Sequence, residues 1–349
     1  MSPTDGHPDL APPARGRGWR VAVALAMAAC CAAAGWGAYA VALQRYVAAR
    51  AEEAGQRTTF YAQSLRSTLA RYESLPRLAA LEHVLHAALQ ANHPPGDAVA
   101  RGAANAYLKE VQAATDLSAA YLLDTTGLTL AASNWDLPSS FVGQNYAFRP
   151  YFAEAMREGL GRFYGVGNTT GETGYFLAAP VREGSPDHRP IGAVAVKINL
   201  DSFEATLSRS GDTVLLVDRH GVIFLSSVPE WKYRTLQPLS AATRTELHDT
   251  QQYGDLPLQP LQREPLEAMP GSRVERIATA SSRLRALVTE QAVAGRGWML
   301  LSFTEIRGAE QIAAGRAWAA ALGWVSLLLG LAYLQLRRRR ARERLAAQG

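Results

Sequence analysis

The stretch Asp124-Thr-Thr-Gly127-Leu-Thr-Leu-Ala-Ala-Ser133 returns later in the chain as Asp218-Arg-His-Gly221-Val-Ile-Phe-Leu-Ser-Ser227. Each copy reads as the end of a strand, an Asp-x-x-Gly turn and a returning strand. Glycine suits the turn position that needs positive φ, and aspartate suits a turn that bonds its own backbone amides. That ordinary turn chemistry accounts for Asp124 and Asp218, so neither points to catalysis. Two copies at domain-like spacing imply two similar α+β modules in tandem. Between the copies the pattern predicts a helix from Pro150 to about Glu158 and strands near Arg162–Gly165, Gly174–Val181 and Pro190–Leu200. After the second copy, strands are expected near Arg273–Ala280, Leu284–Gln291 and Trp298–Phe303. Helix on one side and antiparallel sheet on the other is the layout of a small sensory fold.

Ahead of the modules, apolar residues fall at helical spacing from Arg45 to about Leu75, and Pro76 interrupts them. A further helical stretch runs to about Leu89, His93–Gly96 reads as a loop, and Asp97 is placed to cap a helix through Thr115. The long helix continues Val21–Leu43, which has no charged residue and is long enough to cross a hydrocarbon core of roughly 30 Å. Ala317–Leu336 does the same. A cleaved signal peptide is the rival reading of the first run, but the run is long for one and continues into a helix. Arg15, Arg17 and Arg20 before the first span, and Arg337–Arg340 with Arg342 and Arg344 after the second, place both termini in the cytoplasm. The expected order is then a cytoplasmic N-terminus (1–20), a first span (21–43), an extracytoplasmic helical stalk (44–115), two modules (116–208 and 209–312), a second span (317–336) and a basic tail (337–349). Small residues such as Ala33, Gly37, Ala319 and Gly323 would let the spans approach closely in a homodimer.

Composition removes several other classes. With 48% hydrophobic and 19% charged residues the chain can build a sizeable core. Its formal charge of +5 is carried by the two arginine-rich ends, which leaves the segment between them slightly acidic and gives no basic groove for nucleic acid. Cys30 and Cys31 lie inside the first span, so the exported part has no disulfide. His83 and His86 stand three apart on a helix, but no third ligand is suggested and no metal is expected. Neither Gly-x-Ser-x-Gly nor His-Glu-x-x-His occurs. No catalytic residue and no cofactor are expected.

The binding chemistry gathers at three places. In Asn145-Tyr-Ala-Phe-Arg-Pro-Tyr-Phe152, proline at a first helical turn puts Arg149 at the mouth of a helix. The guanidinium, the turn's amides and the helix dipole then converge on a spot suited to a carboxylate, with Tyr146 and Tyr151 supplying hydroxyls. The alternative is that Arg149 pairs with an acid such as Glu154 while the rings fill core. The chain has only Lys109, Lys197 and Lys232, and Lys197 sits inside the apolar strand Ile191–Leu200. Alternation puts Val194, Val196, Ile198 and Leu200 on one face and Ala193, Ala195 and Lys197 on the other. That second face leaves room for an anion beside the ammonium, unless Lys197 snorkels to water. Finally, Thr169 and Thr170 lie in the polar turn Gly165–Gly174, which precedes a strand and not a helix and so is no dinucleotide loop. Two separated cations with hydroxyls between them describe a receptor for a small diacid.

Taken together, NYAFRPYF, GNTTGETGYF, IGAVAVKINLDSFE, DRHGVIFLSS and WKYRTLQPLS resemble the double-Cache sensory regions of bacterial membrane histidine kinases that detect C4-dicarboxylates and regulate their uptake. The resemblance implies two PAS-like (Cache) modules behind a long N-terminal helix, with an inner-membrane, two-pass placement and a periplasmic ectodomain. It also implies a dicarboxylate ligand of the succinate, fumarate or malate type in the first, membrane-distal module, held by Tyr146, Arg149, Tyr151, Thr169, Thr170 and Lys197. A dicarboxylate transporter or a separate signalling protein becomes a candidate partner. Such kinases continue past the second span into a phosphorylated-histidine helix pair and an ATP-binding domain. No phosphoacceptor, nucleotide-lid or Walker motif occurs in these 349 residues, so the expectation is a truncated or fragmentary sensor, or a sensory half acting through a partner. The other reading is the sensory half of a chemoreceptor or cyclic-dinucleotide enzyme that recognises an amino acid or another anion.

Overall fold

The computed structural model describes residues 16–91, 98–184, 188–266, 273–278, 283–293, 297–306 and 308–346. It divides into two compact units, Met1–Ala51 with Ala268–Ser272 and Ile306–Gly349, and Glu52–Glu267 with Arg273–Glu305. Helix α1 runs unbroken over Gly16–Glu73, followed by α2 (Leu75–Ala79), α3 (His83–Gln90) and α4 (Ala98–Thr115). Pro76 falls in the first turn of α2, where a missing N–H costs nothing. The expected loop at 93–96 and the cap at Asp97 lie outside the described residues.

The first module contains β1 (Ala119–Asp124), β2 (Thr129–Ala132), α5 (Pro150–Glu158), β3 (Gly161–Val166), β4 (Thr173–Arg182) and β5 (Pro190–Ile198). After α6 (Asp201–Arg209), the second contains β6 (Thr213–Val217), β7 (Ile223–Ser226), α7 (Ala241–Asp249), β8 (Arg263–Pro265), β9 (Arg273–Ala278), β10 (Arg283–Val293) and β11 (Trp298–Glu305). The sheet orders are β2-β1-β5-β4-β3 and β7-β6-β11-β10-β9-β8, so the second repeats the first with one strand added at the edge. Every strand pairing is antiparallel. Helix α8 (Ala309–Ala346) ends the described chain. Helices α1 and α8 each contain a window long and apolar enough to cross a membrane, with mean hydropathy 1.9 and 1.7. Gly35 of α1 faces Ala317 and Ala321 of α8, whereas Gly37 and Gly323 meet no described neighbour.

The repeat is kept down to single hydrogen bonds. Asp124 Oδ1 accepts the amides of Thr126 and Leu128 at 2.8 and 3.0 Å, and Asp218 Oδ1 accepts those of His220 and Val222 at 2.8 and 2.9 Å. Gly127 and Gly221 take φ of 81° and 78°. Ser133 exchanges two bonds with the Ala120 backbone, and Ser227 does the same with Val214. The turn reading of both aspartates is thus the observed one.

Alternation along β5 sorts the core. Val194, Val196 and Ile198 face a cluster that also takes in Leu65 and Leu69 of α1. The same cluster continues into the second module, where Tyr164 and Tyr175 meet Phe224 and Trp298 at ring-centroid distances of 4.3 and 5.3 Å. Ala193 and Ala195 face a separate aromatic cluster under α5. Strand β8 and helix α7 have no strong period in the sequence and emerge only in the fold. A Cβ on Gly127 would lie 2.6 Å from the Ala147 amide nitrogen, whereas one on Gly221 meets nothing closer than 3.7 Å. Both sites carry the positive-φ strain of roughly 1–2 kcal/mol, so Gly221→Ala should cost about that much and Gly127→Ala clearly more. Denaturant unfolding followed by circular dichroism checks the order; equal losses would contradict it.

Candidate ligand-binding site

Position Arg149 is the N-cap of α5, in extended conformation (φ −79°, ψ 130°), with no side-chain cap bond. The matching helix of the second module, α7, is capped in the ordinary way, Ser240 accepting the Thr243 amide. The first module therefore gives up a cap for an arginine. That guanidinium is 2% exposed. It does not pair with Glu154, whose carboxylate accepts the Arg162 amide at 3.1 Å. Instead Nη2 donates to the Val166 carbonyl at 2.6 Å and to Asn168 Oδ1, and Nη1 donates to the carbonyls of Thr250 and Gln251 at 3.2 and 3.1 Å. Its carbon lies 5.2 Å from the centre of the Phe163 ring. Among the described residues no carboxylate pairs with it. The side chain thus turns to carbonyls, where the sequence suggested that it would join the amides of its own helix turn.

Lys197 is also 2% exposed and does not snorkel. Its stem runs over Gly174, where a Cβ would come within 2.7 Å of Cε, so only glycine leaves room for it. Nζ donates to Thr170 Oγ1 at 3.1 Å and lies 3.4 Å from Glu172 Oε2, a carboxylate whose side chain is 70% exposed. Burial pulls the Lys197 ammonium below the usual lysine range, and Glu172 offsets part of that. Burial likewise lowers Arg149.

Tyr146, Arg149, Tyr151, Thr169 and Lys197 line one small cavity, and Thr170 joins it through its bond to Lys197. The hydroxyls are interlinked: Tyr146 with Thr169 at 2.6 Å, and Tyr121 donating to Tyr151 at 2.7 Å. Burial raises the phenols of Tyr121, Tyr146 and Tyr151, so they remain neutral donors. Tyr121, Phe141, Gly167, Asn168 and Phe176 complete the wall and were not singled out from the sequence as binding residues. Tyr121 was within reach of alternation, because it stands opposite Ala195 in the β1–β5 register. The enclosed space is about 10 Å³, room for roughly one water molecule. A larger cleft of about 260 Å³ lies nearby, but Glu154, Glu158 and Asp218 share its wall with Arg162 and Arg219, and those acids would oppose a dianion.

Register shows what the second module has at the same places. Lys197 pairs with Ala119 on β1, and the residue that pairs with the matching Thr213 on β6 is Phe303. The amide of Tyr146 donates to the turn carbonyl of Gly127, and the residue making that bond to Gly221 is Leu236. Phe303 stacks edge-on against Trp231 at 6.0 Å within an apolar cluster. The second copy thus fills with rings and leucine the space that the first lines with cations and hydroxyls.

The Cache domain family matches residues 41–314. The chain is 41% identical over 198 residues to a C4-dicarboxylate transport sensor protein DctB of Pseudomonas aeruginosa, covering 57% of this chain and 31% of that protein. It is 30% identical over 294 residues to the protein of the same name from Rhizobium meliloti, covering 82% and 46%. It therefore spans less than half the length of these curated relatives. The crystal structure of the V. cholerae histidine kinase DctB sensor domain superposes with a TM-score of 0.65 at 25% identity, covering 75% of this chain and 98% of that one. With its duplicated sheet, its long leading helix and this match over most of its length, the chain belongs to the Cache domain family.

Proposed function

We propose that this chain is the sensory part of a membrane sensor and that its first module binds a small dicarboxylate outside the cytoplasm. The observation that carries the reading is the pair of buried cations, Arg149 and Lys197, on one cavity whose described wall holds no carboxylate. Buried charge of one sign without a buried counter-charge calls for an anionic guest, and two cations match the two ends of a diacid. The names of the relatives, both C4-dicarboxylate transport sensors, point to the same ligand class. An amino acid fits less well, because the nearest acid among the described residues is the exposed Glu172, which already pairs with Lys197. The cytoplasmic termini, the homodimer and coupling to a kinase or transporter belong to this reading too. They are supported by the arginine clusters flanking the two apolar helices and by the relatives' names.

Calorimetry of the full chain in detergent against succinate, fumarate and malate tests it. Each charge-assisted contact contributes about 1.5–3 kcal/mol, so Lys197→Met, which keeps the stem over Gly174, should weaken binding by roughly 10–100-fold and Arg149→Ala by at least as much. No heat from any of the three diacids would reject the proposal.

The lowered Lys197 sets the sign of a pH effect. In the free protein the ammonium loses its proton below the ordinary lysine value of about 10.4. Binding needs that proton, so affinity should fall as pH rises through the lowered value, before free lysine would titrate. Lys197→Arg, whose guanidinium stays charged, should bind more weakly at neutral pH but lose this alkaline limb. A limb that survives in the arginine variant would mean that another group titrates.

A further inference from the structure

The residue that grips the proposed ligand is held from behind by the second module. Helix α7 ends at Asp249, and the chain turns back through Gln251 in the left-handed region at φ 49°. The Gln251 and Gln252 amides close that turn on the carbonyls of His248 and Leu247 at 2.9 and 3.0 Å. The turn aims the Thr250 and Gln251 carbonyls at the Arg149 Nη1, so the negative end of a helix from the second module offsets a charge in the first. The cavity wall meets the same turn. The Val166 amide donates to the Gln252 carbonyl at 2.8 Å, and the Asn168 side-chain amide donates to Gln251 Oε1 while its oxygen accepts from Arg149.

These contacts bear on how the cavity is entered. At about 10 Å³ it has no room for a four-carbon diacid. Part of the wall must move, and the segment Gly167–Thr169 is a polar turn, whereas Tyr121, Tyr151 and Phe176 are fixed in the packed aromatic cluster. Asn168 is the residue that ties this segment to Gln251. Resting on the dicarboxylate reading above, we infer that the turn Thr250–Gln252 backs the wall of the first module's site from behind. Its carbonyls position Arg149, and its Gln251 side chain holds the 167–169 segment shut. Ligand entry separates Asn168 from Gln251, and occupancy of the first module is thereby felt at the C-terminus of α7. A ligand can shift this equilibrium only by its difference in affinity between the closed and open arrangements, so weakening the closed one raises apparent affinity.

The test uses the full chain in detergent and Gln251→Gly, which removes the side-chain amide, suits the positive φ and keeps both carbonyls. Removing one such hydrogen bond from the closed form should tighten succinate binding about fivefold. In wild type, succinate should change hydrogen exchange at the amides of residues 250–253, and in the variant, which has lost the side-chain link to Asn168, it should change them little. Affinity within twofold of wild type, or exchange changes confined to the first module, overturns the inference. If wild type binds succinate and Arg149→Ala does not, either of those results leaves the dicarboxylate reading standing. If wild type binds no diacid, both fall together.

Discussion

Two positive side chains share one wall of the first module, each with only 2% of its surface in water. Water that would have solvated them is replaced by carbonyls, hydroxyls and one exposed carboxylate, Glu172. Dipoles can meet the hydrogen-bonding needs of a guanidinium and an ammonium, but they do not cancel charge. Much of the surrounding construction follows from that deficit. Glycine at 174 makes room for the lysine stem, rings and alanines exclude water behind it, and neutral phenols supply donors that add no charge of their own.

The tandem repeat separates what the fold needs from what the site needs. Both copies keep the Asp-x-x-Gly turn, the serine that closes the hairpin, the strand order and a helix of the same length at the same place. They part at the positions of Tyr146 and Lys197, which are Leu236 and Phe303 in the second copy, and at the helix cap. The second copy shows what this scaffold looks like when its concave face is filled with apolar side chains. The first shows the same scaffold with polar groups at a few of those places.

How much of this was legible depended on how local the cause was. The turn chemistry of Asp124 and Asp218 is written in four consecutive residues. The two faces of β5 are written in its alternation, and the position of Arg149 in the proline that follows it. Lys197 stood out because an ammonium inside an alanine–valine strand demands a reason. The rest needed the folded chain. Asn168 lay in a turn already marked as polar, but nothing local says which of its neighbours reaches the guanidinium. Thr250 and Gln251 contribute backbone carbonyls, which any residue type would supply, from a helix whose apolar pattern is too faint to read. Glu154 was a reasonable partner for Arg149 by spacing, and the fold gave it to the Arg162 amide instead.

The aromatic contacts that join the two sheets have a consequence for exchanging one lobe without the other. Tyr164 and Tyr175 from the first sheet interlock with Phe224 and Trp298 from the second, and the Tyr164 hydroxyl donates to the Phe224 carbonyl at 3.2 Å. A lobe exchanged with that of another receptor would arrive without the matching rings and expose a ragged apolar seam. Changes on the concave face leave that seam intact, whereas replacing one lobe alone breaks it, so the two lobes hold together as one piece.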